Sequence, residues 1–92
     1  MSNAIVLIDV ESGKASQAAQ KVAEIPGVRE VYSVAGDVDL VAIVHADDAD
    51  GLTEIIPDGI AQVEGVLQTH TLMAFRAYSG KDLAAAFELG LD

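Results

Sequence analysis

Short apolar runs and longer amphipathic stripes follow one another along this sequence. Four runs rich in β-branched or aromatic residues predict β-strands at residues 4–10, 28–35, 40–45 and 66–78. The first run is an almost unbroken stretch of Ile and Val, which is typical of a buried central strand. We therefore expect one four-stranded sheet to organise the chain.

The first amphipathic stripe predicts a helix between the first two strands. Ser12, in a turn at residues 11–13, is the expected N-cap. The apolar residues that follow recur at i, i+3, i+4, i+7 and i+10: Ala15, Ala18, Ala19, Val22 and Ile25. Pro26 and Gly27 end this helix, because proline cannot continue the hydrogen-bond ladder. An alanine-rich stripe lets the helix lie close to a sheet.

The second stripe lies between the third and fourth predicted strands. The acidic segment 47–50 suits its N-terminus, where the helix dipole is positive. The apolar positions of this stripe are Leu52, Ile55, Ile56, Ile60 and Val63. Pro57 and Gly59 interrupt the stripe and Gly65 ends it, so we expect a kink or two short helices.

The order strand, helix, strand, strand, helix, strand predicts an α+β fold. Two βαβ units joined by a hairpin form a ferredoxin-like βαββαβ sandwich, an antiparallel four-stranded sheet with both helices on one face. Residues 25–28 and 63–66 each close a helix and open a strand, which indicates pseudo-symmetry between the two halves. A capping-box spacing at 79–82 predicts a short C-terminal helix over 83–89. We expect residues 1–92 to form a single domain.

One face of this predicted sheet has no helix above it. Alternation along the fourth strand places Thr69 and Thr71 on one face and His70 and Leu72 on the other, so that neither face is polar throughout. An uncovered apolar face of several hundred Å² is rarely left to water. We therefore expect a two-fold homodimer, sheet against sheet, of the dimeric α/β barrel type. The alternative is that the C-terminal helix covers the face of its own chain.

Composition and charge restrict the partners of the chain. Five Lys and Arg residues against fifteen Asp and Glu residues give a formal net charge of −10, which repels nucleic acid and anionic lipid. No apolar run approaches the ~20 residues of a membrane span, and residues 1–4 lack the basic start of a signal peptide. We expect a cytoplasmic protein with no direct nucleic-acid or membrane partner.

The side chains that carry catalytic or metal chemistry are sparse in this sequence. The absence of cysteine excludes disulfides and thiolate metal sites. His45 and His70 lack the spacing of a metal site, and the acidic segment 47–50 lacks the spacing and closing glutamate of a calcium loop. Phosphate-binding glycine loops and nucleophile elbows are also missing. The sequence therefore predicts a protein that is not an enzyme and holds neither a metal nor a cofactor.

Several motifs together resemble one known family. They are residues 25–28, residues 31–34, the hairpin segment 36–40, residues 65–66 and the Thr-x-Thr pair of strand four. This combination resembles the effector-binding domain of Lrp/AsnC-type regulators, also called the RAM domain. The resemblance covers about residues 4–78, and the Gly-Asp-x-Asp hairpin combined with Thr-x-Thr is its most specific part.

The resemblance implies a binding site and an assembly. Members of the family form dimers by sheet packing and often rings of dimers, and amino acids or similar effectors bind where dimers meet. The positions that match the family's ligand-binding positions are Gly36, Asp37, Val38, Asp39, Thr69 and Thr71. Val38 stands where an aromatic residue is common, which changes the shape of the pocket. The resemblance thus implies an amino-acid-binding, oligomerising module linked to transcription regulation.

Each of these residues also has a plainer role. Gly36 allows a positive φ and the close approach of a ligand, or it serves hairpin geometry alone. In a strand, Asp37 and Asp39 would point to one side and could pair with an α-ammonium group, or they cap the turn. Thr69 and Thr71 share a face and offer hydroxyls to a carboxylate, or they simply suit a β-strand.

Two other functions stand as alternatives. Full-length regulators of the resembled family carry an N-terminal helix-turn-helix, whereas this sequence begins at strand one. The domain could therefore co-assemble with full-length Lrp/AsnC regulators and dilute their DNA-binding arms. The dimeric α/β barrel also hosts small monooxygenases and haem-degrading proteins. Those enzymes usually need a His, Asn or Trp at a defined pocket position, and this chain has no tryptophan.

Overall fold

A computed structural model of the chain describes residues 2–78 and Gly80. In chain order the elements are β1 (Ser2–Val10), α1 (Ala15–Ala23), β2 (Val28–Ser33), β3 (Leu40–Ala46), α2 (Ala49–Ile55), a one-turn 3₁₀ helix (Ile60–Gln62) and β4 (Val66–Ala74). This is the order that the apolar pattern predicts. The second helical stripe is divided into two short helices around Pro57 and Gly59, as expected from the residues that interrupt it.

The strands form one antiparallel sheet in the order β2-β3-β1-β4. β1 is central, so that Ile8 lies opposite Leu40 of β3 on one side and opposite Thr69 of β4 on the other. Helix α1 packs against β2 and β3, α2 packs against β3 and β1, and the 3₁₀ helix packs against β4. The structure therefore confirms the ferredoxin-like α+β sandwich.

The core lies between the sheet and the helices. Its fully buried side chains come from alternate positions of β1 and β3 and from the inner faces of α1 and the 3₁₀ helix: Ala4, Val6, Ile8, Leu40, Ala42, Val44, Ala18, Val22 and Ile60. Burial of each larger aliphatic side chain contributes roughly 1.5–3 kcal/mol to stability. This alternation therefore fixes which face of each strand points towards the helices.

The two helices begin in different ways. Asp48 caps α2, and its Oδ1 accepts the Gly51 N–H at 2.8 Å, in agreement with the acidic segment at this position. The prediction that Ser12 caps α1 is wrong, because the N-cap is Lys14, whose side chain makes no capping hydrogen bond. The Lys14 N–H donates to the Glu11 carbonyl at 2.9 Å, so a tight turn places Ser12 before the helix.

Strand β2 is shorter than the sequence predicts. The β-branched run continues to Ala35, but β2 ends at Ser33. The Val34 N–H donates to the Asp39 carbonyl at 3.1 Å, and this hydrogen bond closes a loop between β2 and β3. The loop begins earlier than the local β-propensity indicates, because hairpin closure and not propensity sets the end of the strand.

Strand β4 is also shorter than predicted. The apolar run continues to residue 78, but β4 ends at Ala74. Ala74 lies opposite Asn3, at the start of β1, so the strand ends where its hydrogen-bonding partner ends. The predicted capping box at 79–82 and helix at 83–89 lie outside the described residues, apart from Gly80.

The turns before β2 and β4 confirm the pseudo-symmetry of the two halves. Gly27 and Gly65 adopt nearly equal positive φ angles of 98° and 96°. In both turns, the residue after the glycine donates its N–H to the carbonyl three residues earlier, at 3.0 Å and 3.1 Å. The Gly27 carbonyl then accepts the His45 N–H at 2.8 Å, and the Gly65 carbonyl accepts the Glu11 N–H at 2.7 Å. Each glycine thus joins its turn to a neighbouring segment.

Candidate functional site

The sheet face opposite the helices, called the open face below, has an apolar centre and a polar border. It comprises Glu30 and Tyr32 of β2, Val41, Ile43 and His45 of β3, Asn3, Ile5, Leu7 and Asp9 of β1, and Gln68, His70, Leu72 and Ala74 of β4. No element formed by residues 2–78 packs on this face. Tyr32 is 48% exposed and Leu72 is 45% exposed. This arrangement of apolar centre and polar rim is typical of a protein–protein interface.

Two side-chain pairs border the open face. Nδ1 of His45 lies 2.6 Å from Oδ1 of Asn3, the residue directly opposite on β1. The Tyr32 hydroxyl donates to a carboxylate oxygen of Glu30, two residues earlier on β2. This hydrogen bond, the negative charge of Glu30 and desolvation raise the pKa of Tyr32 above its ordinary value of 10.0. Tyr32 therefore keeps its proton at physiological pH.

The β2–β3 loop brings four of the six predicted ligand-binding residues together. Gly36 has a φ of 138°, and a Cβ built on it would meet no atom within 4 Å. The glycine is therefore required by backbone conformation and not by lack of space. Asp37 is exposed, whereas Val38 is partly buried. The loop thus presents an accessible backbone beside an exposed carboxylate.

Asp39 has a structural role within this loop. Its Oδ2 accepts the Val10 N–H at 2.9 Å, and its own N–H donates to the Ile8 carbonyl at 3.0 Å. Val10 is the point at which the register between β1 and β4 shifts, so the Asp39 carboxylate satisfies an N–H group near this irregularity. Asp37 and Asp39 lie in bends, so the strand alternation used to predict their common direction does not apply to them.

Thr69 and Thr71 lie on the helix side of β4. They are opposite Ile8 and Val6, whose side chains are fully buried beneath the helices. Strand β1 separates β4 from β3, so two strand spacings place Thr69 about 10 Å from Leu40. The structure therefore gathers residues 36–39 in one loop and the threonines on one strand, but it does not join the two sets within one chain.

A groove between α2 and β4, called the α2–β4 groove below, was not predicted from the sequence. It has a volume of about 270 Å³ and is lined by Ala49, Leu52, Thr53, Ile56, Pro57, Thr71 and Met73. The signal for it was present in the sequence: Pro57 shortens the second helix, and alternation places Thr71 and Met73 on the helix side. Of the predicted ligand-binding residues, only Thr71 lines this groove.

A second cleft lies on the same side of the sheet, near the start of β4. Its volume is about 310 Å³, and Gln17, Gln20 and Lys21 of α1 face Val63 and Glu64 across it. Among residues 2–78, no three His, Asp or Glu side chains gather in a way that could hold a metal ion. Within the same part of the chain, no helix has the length and apolar character needed to cross a membrane.

A comparison of the sequence with known protein families agrees with the fold described above. The sequence profile of the Lrp/AsnC ligand binding domain matches residues 3–82. The chain belongs to the Lrp/AsnC family. The matched residues run from β1 to beyond the end of β4, and they include the β2–β3 loop and both threonines. The resemblance drawn from the hairpin and Thr-x-Thr motifs is therefore confirmed.

Relatives of this Lrp/AsnC domain are transcriptional regulators. The HTH-type transcriptional regulator FL11 of Pyrococcus furiosus is 33% identical over 75 residues, which are 82% of this chain and 49% of the regulator. An uncharacterised HTH-type regulator of Pyrococcus abyssi, PYRAB16920, is 39% identical over 77 residues, which are 80% of this chain and 51% of that protein. The chain thus spans about half the length of the curated relatives it matches.

Solved structures of the same fold include proteins of two sizes. TTHA0845 from Thermus thermophilus is 44% identical, with a TM-score of 0.80 over 86% of this chain and 99% of that chain. The feast or famine regulatory protein from M. tuberculosis, complexed with L-methionine, is 24% identical and shares the fold, with a TM-score of 0.74 over 88% of this chain and 54% of that chain. The same fold therefore makes up nearly the whole of one crystallised chain and about half of the other.

The family also decides between a regulatory domain and an enzyme. The relatives that match this Lrp/AsnC domain bear the names of transcriptional regulators. The profile that matches it describes a ligand binding domain. The chain is accordingly a non-enzymatic regulatory domain, which removes the small monooxygenases and haem-degrading proteins from the alternatives.

Proposed function

We propose that this Lrp/AsnC domain binds a small amino-acid effector and oligomerises, linking the effector to transcription regulation without binding DNA itself. The observation that carries the proposal is the match of the ligand-binding profile over residues 3–82. The formal net charge of −10 supports the absence of direct DNA binding, because the chain repels the phosphate backbone. In this proposal residues 1–92 act as one cytoplasmic unit.

The proposed assembly is a homodimer in which two open faces pack together. Ile5, Leu7 and Ile43 form the middle of this face, while Tyr32 and Leu72 lie further out. Burying these side chains stabilises the dimer by about 25 cal/mol for each Å² of apolar surface that is removed from water. Dimers then associate into rings, as the family resemblance implies.

The proposed effector site lies where neighbouring dimers meet. Because β1 separates the β2–β3 loop from the threonines within one chain, the proposal places the loop of one chain beside the threonines of a neighbouring chain. The Asp37 carboxylate would pair with the α-ammonium group of the effector, and the backbone at Gly36 would approach it closely. The hydroxyls of Thr69 and Thr71 would donate to its carboxylate.

A small aliphatic side chain at the centre of the loop shapes the proposed pocket. Val38 and the exposed Gly36 leave the space that an aromatic residue fills in many members of the resembled family. Asp39 fixes the loop on β1 and supplies negative charge beside Asp37. A zwitterion with an apolar side chain fits this combination of charge and space, and L-methionine, found in the related regulatory protein, is the first effector to try.

A thermal-shift assay of the full chain against the natural amino acids tests the proposed function. Binding to the native state at 100 times Kd raises stability by about 2.7 kcal/mol, which corresponds to a rise in Tm of roughly 10 °C or more. Asp37→Asn should weaken the shift, whereas Asp47→Asn removes an equal charge outside the loop and should leave it unchanged. No stabilisation by any amino acid at millimolar concentration would contradict the proposal.

Co-assembly with full-length regulators is a second candidate for the same domain. It is favoured by relatives that are about twice as long and match this chain over about half of their own length. Such relatives could exchange subunits with this chain through equivalent open faces and so carry fewer DNA-binding arms per assembly. Copurification of a tagged full-length relative with the untagged chain tests this, and failure of the two to form mixed assemblies would contradict it.

A further inference from the structure

We propose that the α2–β4 groove receives the side chain of the amino-acid effector and restricts it to an aliphatic or thioether side chain. This inference rests on the proposed function, because it starts from an effector whose carboxylate is held by the hydroxyl of Thr71. It adds the residues that would contact the side chain of the effector, which are Leu52, Ile56 and Met73. The position, the lining and the size of the groove support it.

The helix side of β4 leads from the threonines into the groove. Thr69, Thr71 and Met73 are alternate residues of this strand, and they lie opposite side chains of β1 that are fully buried beneath the helices. Neighbours in such a row are about 7 Å apart. Thr71 is exposed, and both Thr71 and Met73 line the groove. An effector whose carboxylate accepts a hydrogen bond from Thr71 therefore lies directly beside the groove.

The lining of the groove suits an apolar side chain. Leu52 and Ile56 are only 6% and 7% exposed, whereas Met73 is 51% exposed and can lose more of its surface to a ligand. Among the described residues that line the groove, none is charged, and Thr53 and Thr71 alone are polar. A charged side chain placed there would lose its hydration without gaining a partner of opposite charge. The groove thus favours apolar over charged side chains.

The size of the groove matches a side chain of moderate length. A cavity of about 150 Å³ holds a benzene ring, so a groove of about 270 Å³ admits the side chain of methionine, leucine or isoleucine, each smaller than benzene. An extended methionine side chain reaches roughly 5 Å beyond its Cα, because each bond is about 1.5 Å long. With the carboxylate at Thr71, such a side chain would end beside Met73.

The other cleft on the helix side has a different chemistry. Lys21 and Glu64 place charges of both signs along its walls, and neither of the predicted ligand-binding threonines lines it. This cleft suits a polar ligand better than an aliphatic side chain. Gln17, which is exposed and lines this cleft, therefore provides a matched position at which a substitution should not affect the effector.

Met73→Lys tests the chemistry of the groove. Isothermal titration calorimetry of the full chain with L-methionine and L-glutamate compares two side chains of similar length. The wild-type chain should bind methionine more tightly. In Met73→Lys the new ammonium group pairs with the glutamate carboxylate, so the preference for methionine should fall by at least about tenfold. Leu67→Lys adds the same charge to β4 outside the groove and should keep the wild-type preference.

Thr53→Phe tests the space in the groove. Thr53 is exposed and lines the groove, so a phenyl group at this position would occupy the volume that the effector side chain needs. The Kd for L-methionine should rise by at least about tenfold, whereas the Kd for L-alanine, whose methyl group barely enters the groove, should change by less than about twofold. Gln17→Phe makes a comparable change in the other cleft and should alter neither value.

This inference and the proposed function can fail separately. If no amino acid binds, the proposed function is wrong and this inference falls with it. If amino acids bind but the wild-type chain prefers glutamate, or if neither Met73→Lys nor Thr53→Phe changes the preference more than its control, the proposed function stands and the groove assignment is overturned. Each result is a ratio of two ligands on one variant, so a loss of stability alone does not imitate the expected outcome.

Discussion

The carboxylate of Asp39 connects the β2–β3 loop to the end of β1 by accepting the Val10 N–H at 2.9 Å. The residue that the family resemblance assigns to ligand binding therefore also completes the sheet. One carboxylate oxygen is occupied by the backbone, so a ligand that reaches Asp39 meets a side chain already held in place. Such pre-organisation lowers the entropic cost of binding.

Removing this carboxylate should destabilise the chain even without a ligand. Asp39→Ala leaves the Val10 N–H without its partner, and we expect a loss of roughly 1–2 kcal/mol in the free energy of unfolding. Asp39→Asn keeps an acceptor oxygen and should lose less. Urea denaturation followed by circular dichroism measures both values. Asp37→Ala, whose side chain is exposed, should change stability by less than about 0.5 kcal/mol, and an equal loss for both alanine variants would contradict the role of Asp39.

The glycine turns predict a ranking of substitutions. Gly27→Ala would place a methyl group against the Ile55 side chain and 3.1 Å from the His45 carbonyl, at a positive φ that costs roughly 1–2 kcal/mol by itself. Gly36→Ala also has a positive φ, but it meets no atom within 4 Å. Gly27→Ala should therefore lower Tm more than Gly36→Ala in a calorimetric scan. The opposite order would mean that loop strain outweighs contact with the α2 helix.

Tyr32 should titrate at a higher pH than an unperturbed tyrosine. Its hydrogen bond to Glu30, the charge of that residue and desolvation raise the Tyr32 pKa above 10.0. The folded chain thus holds this proton to a higher pH than the unfolded chain. The contribution of protonated Tyr32 to the stability of the folded chain is therefore present below pH 10.0 and is lost as pH rises through the folded-state pKa. Phenolate absorbance should show the shift, with Tyr78→Phe isolating Tyr32. Glu30→Gln should lower the pKa, and an unchanged titration would contradict this pairing.

Two leucines of β4 form a matched pair for testing the proposed dimer. Leu72 lies on the open face, opposite Ile5, and is 45% exposed, whereas Leu67 is 68% exposed and is the unpaired residue of β4 at the register shift between β1 and β4, away from the apolar centre of that face. Leu72→Asp would place a charge in the packed faces and should give a monomer by light scattering at micromolar concentration. Leu67→Asp adds the same charge and should leave the dimer intact. A wild-type chain of 9.6 kDa under these conditions would itself contradict the proposed assembly.

The element order could be predicted because each element carries its own local signal. The short runs of β-branched and other apolar residues placed β1 and β3, Asp48 supplied a cap, and the turns at Gly27 and Gly65 supplied positive φ angles. The end of β4 at Ala74 could not be predicted in this way, because it depends on where β1 begins. Ser12 failed as a cap for a similar reason, since the Glu11–Lys14 turn is closed by the backbone and not by a side chain.

The residue types of the candidate site could be predicted from the sequence, but their arrangement in space could not. The hairpin and Thr-x-Thr motifs are visible in the sequence, but the strand order that inserts β1 between them is a property of the whole sheet. The α2–β4 groove was missed for the same reason, because a gap between elements depends on the lengths of both. Thr71 was expected in a ligand site and is found on the wall of this groove.

The pairing of Asn3 with Ala74 places both ends of the sheet-forming chain at one pole of the domain, and the β2–β3 loop lies at the other pole. A module fused ahead of Ser2 would therefore emerge about 30 Å from that loop, a distance set by the nine residues of β1. An effector held at the loop would therefore have to act on such a module across the whole length of β1 or by changing the arrangement of whole subunits.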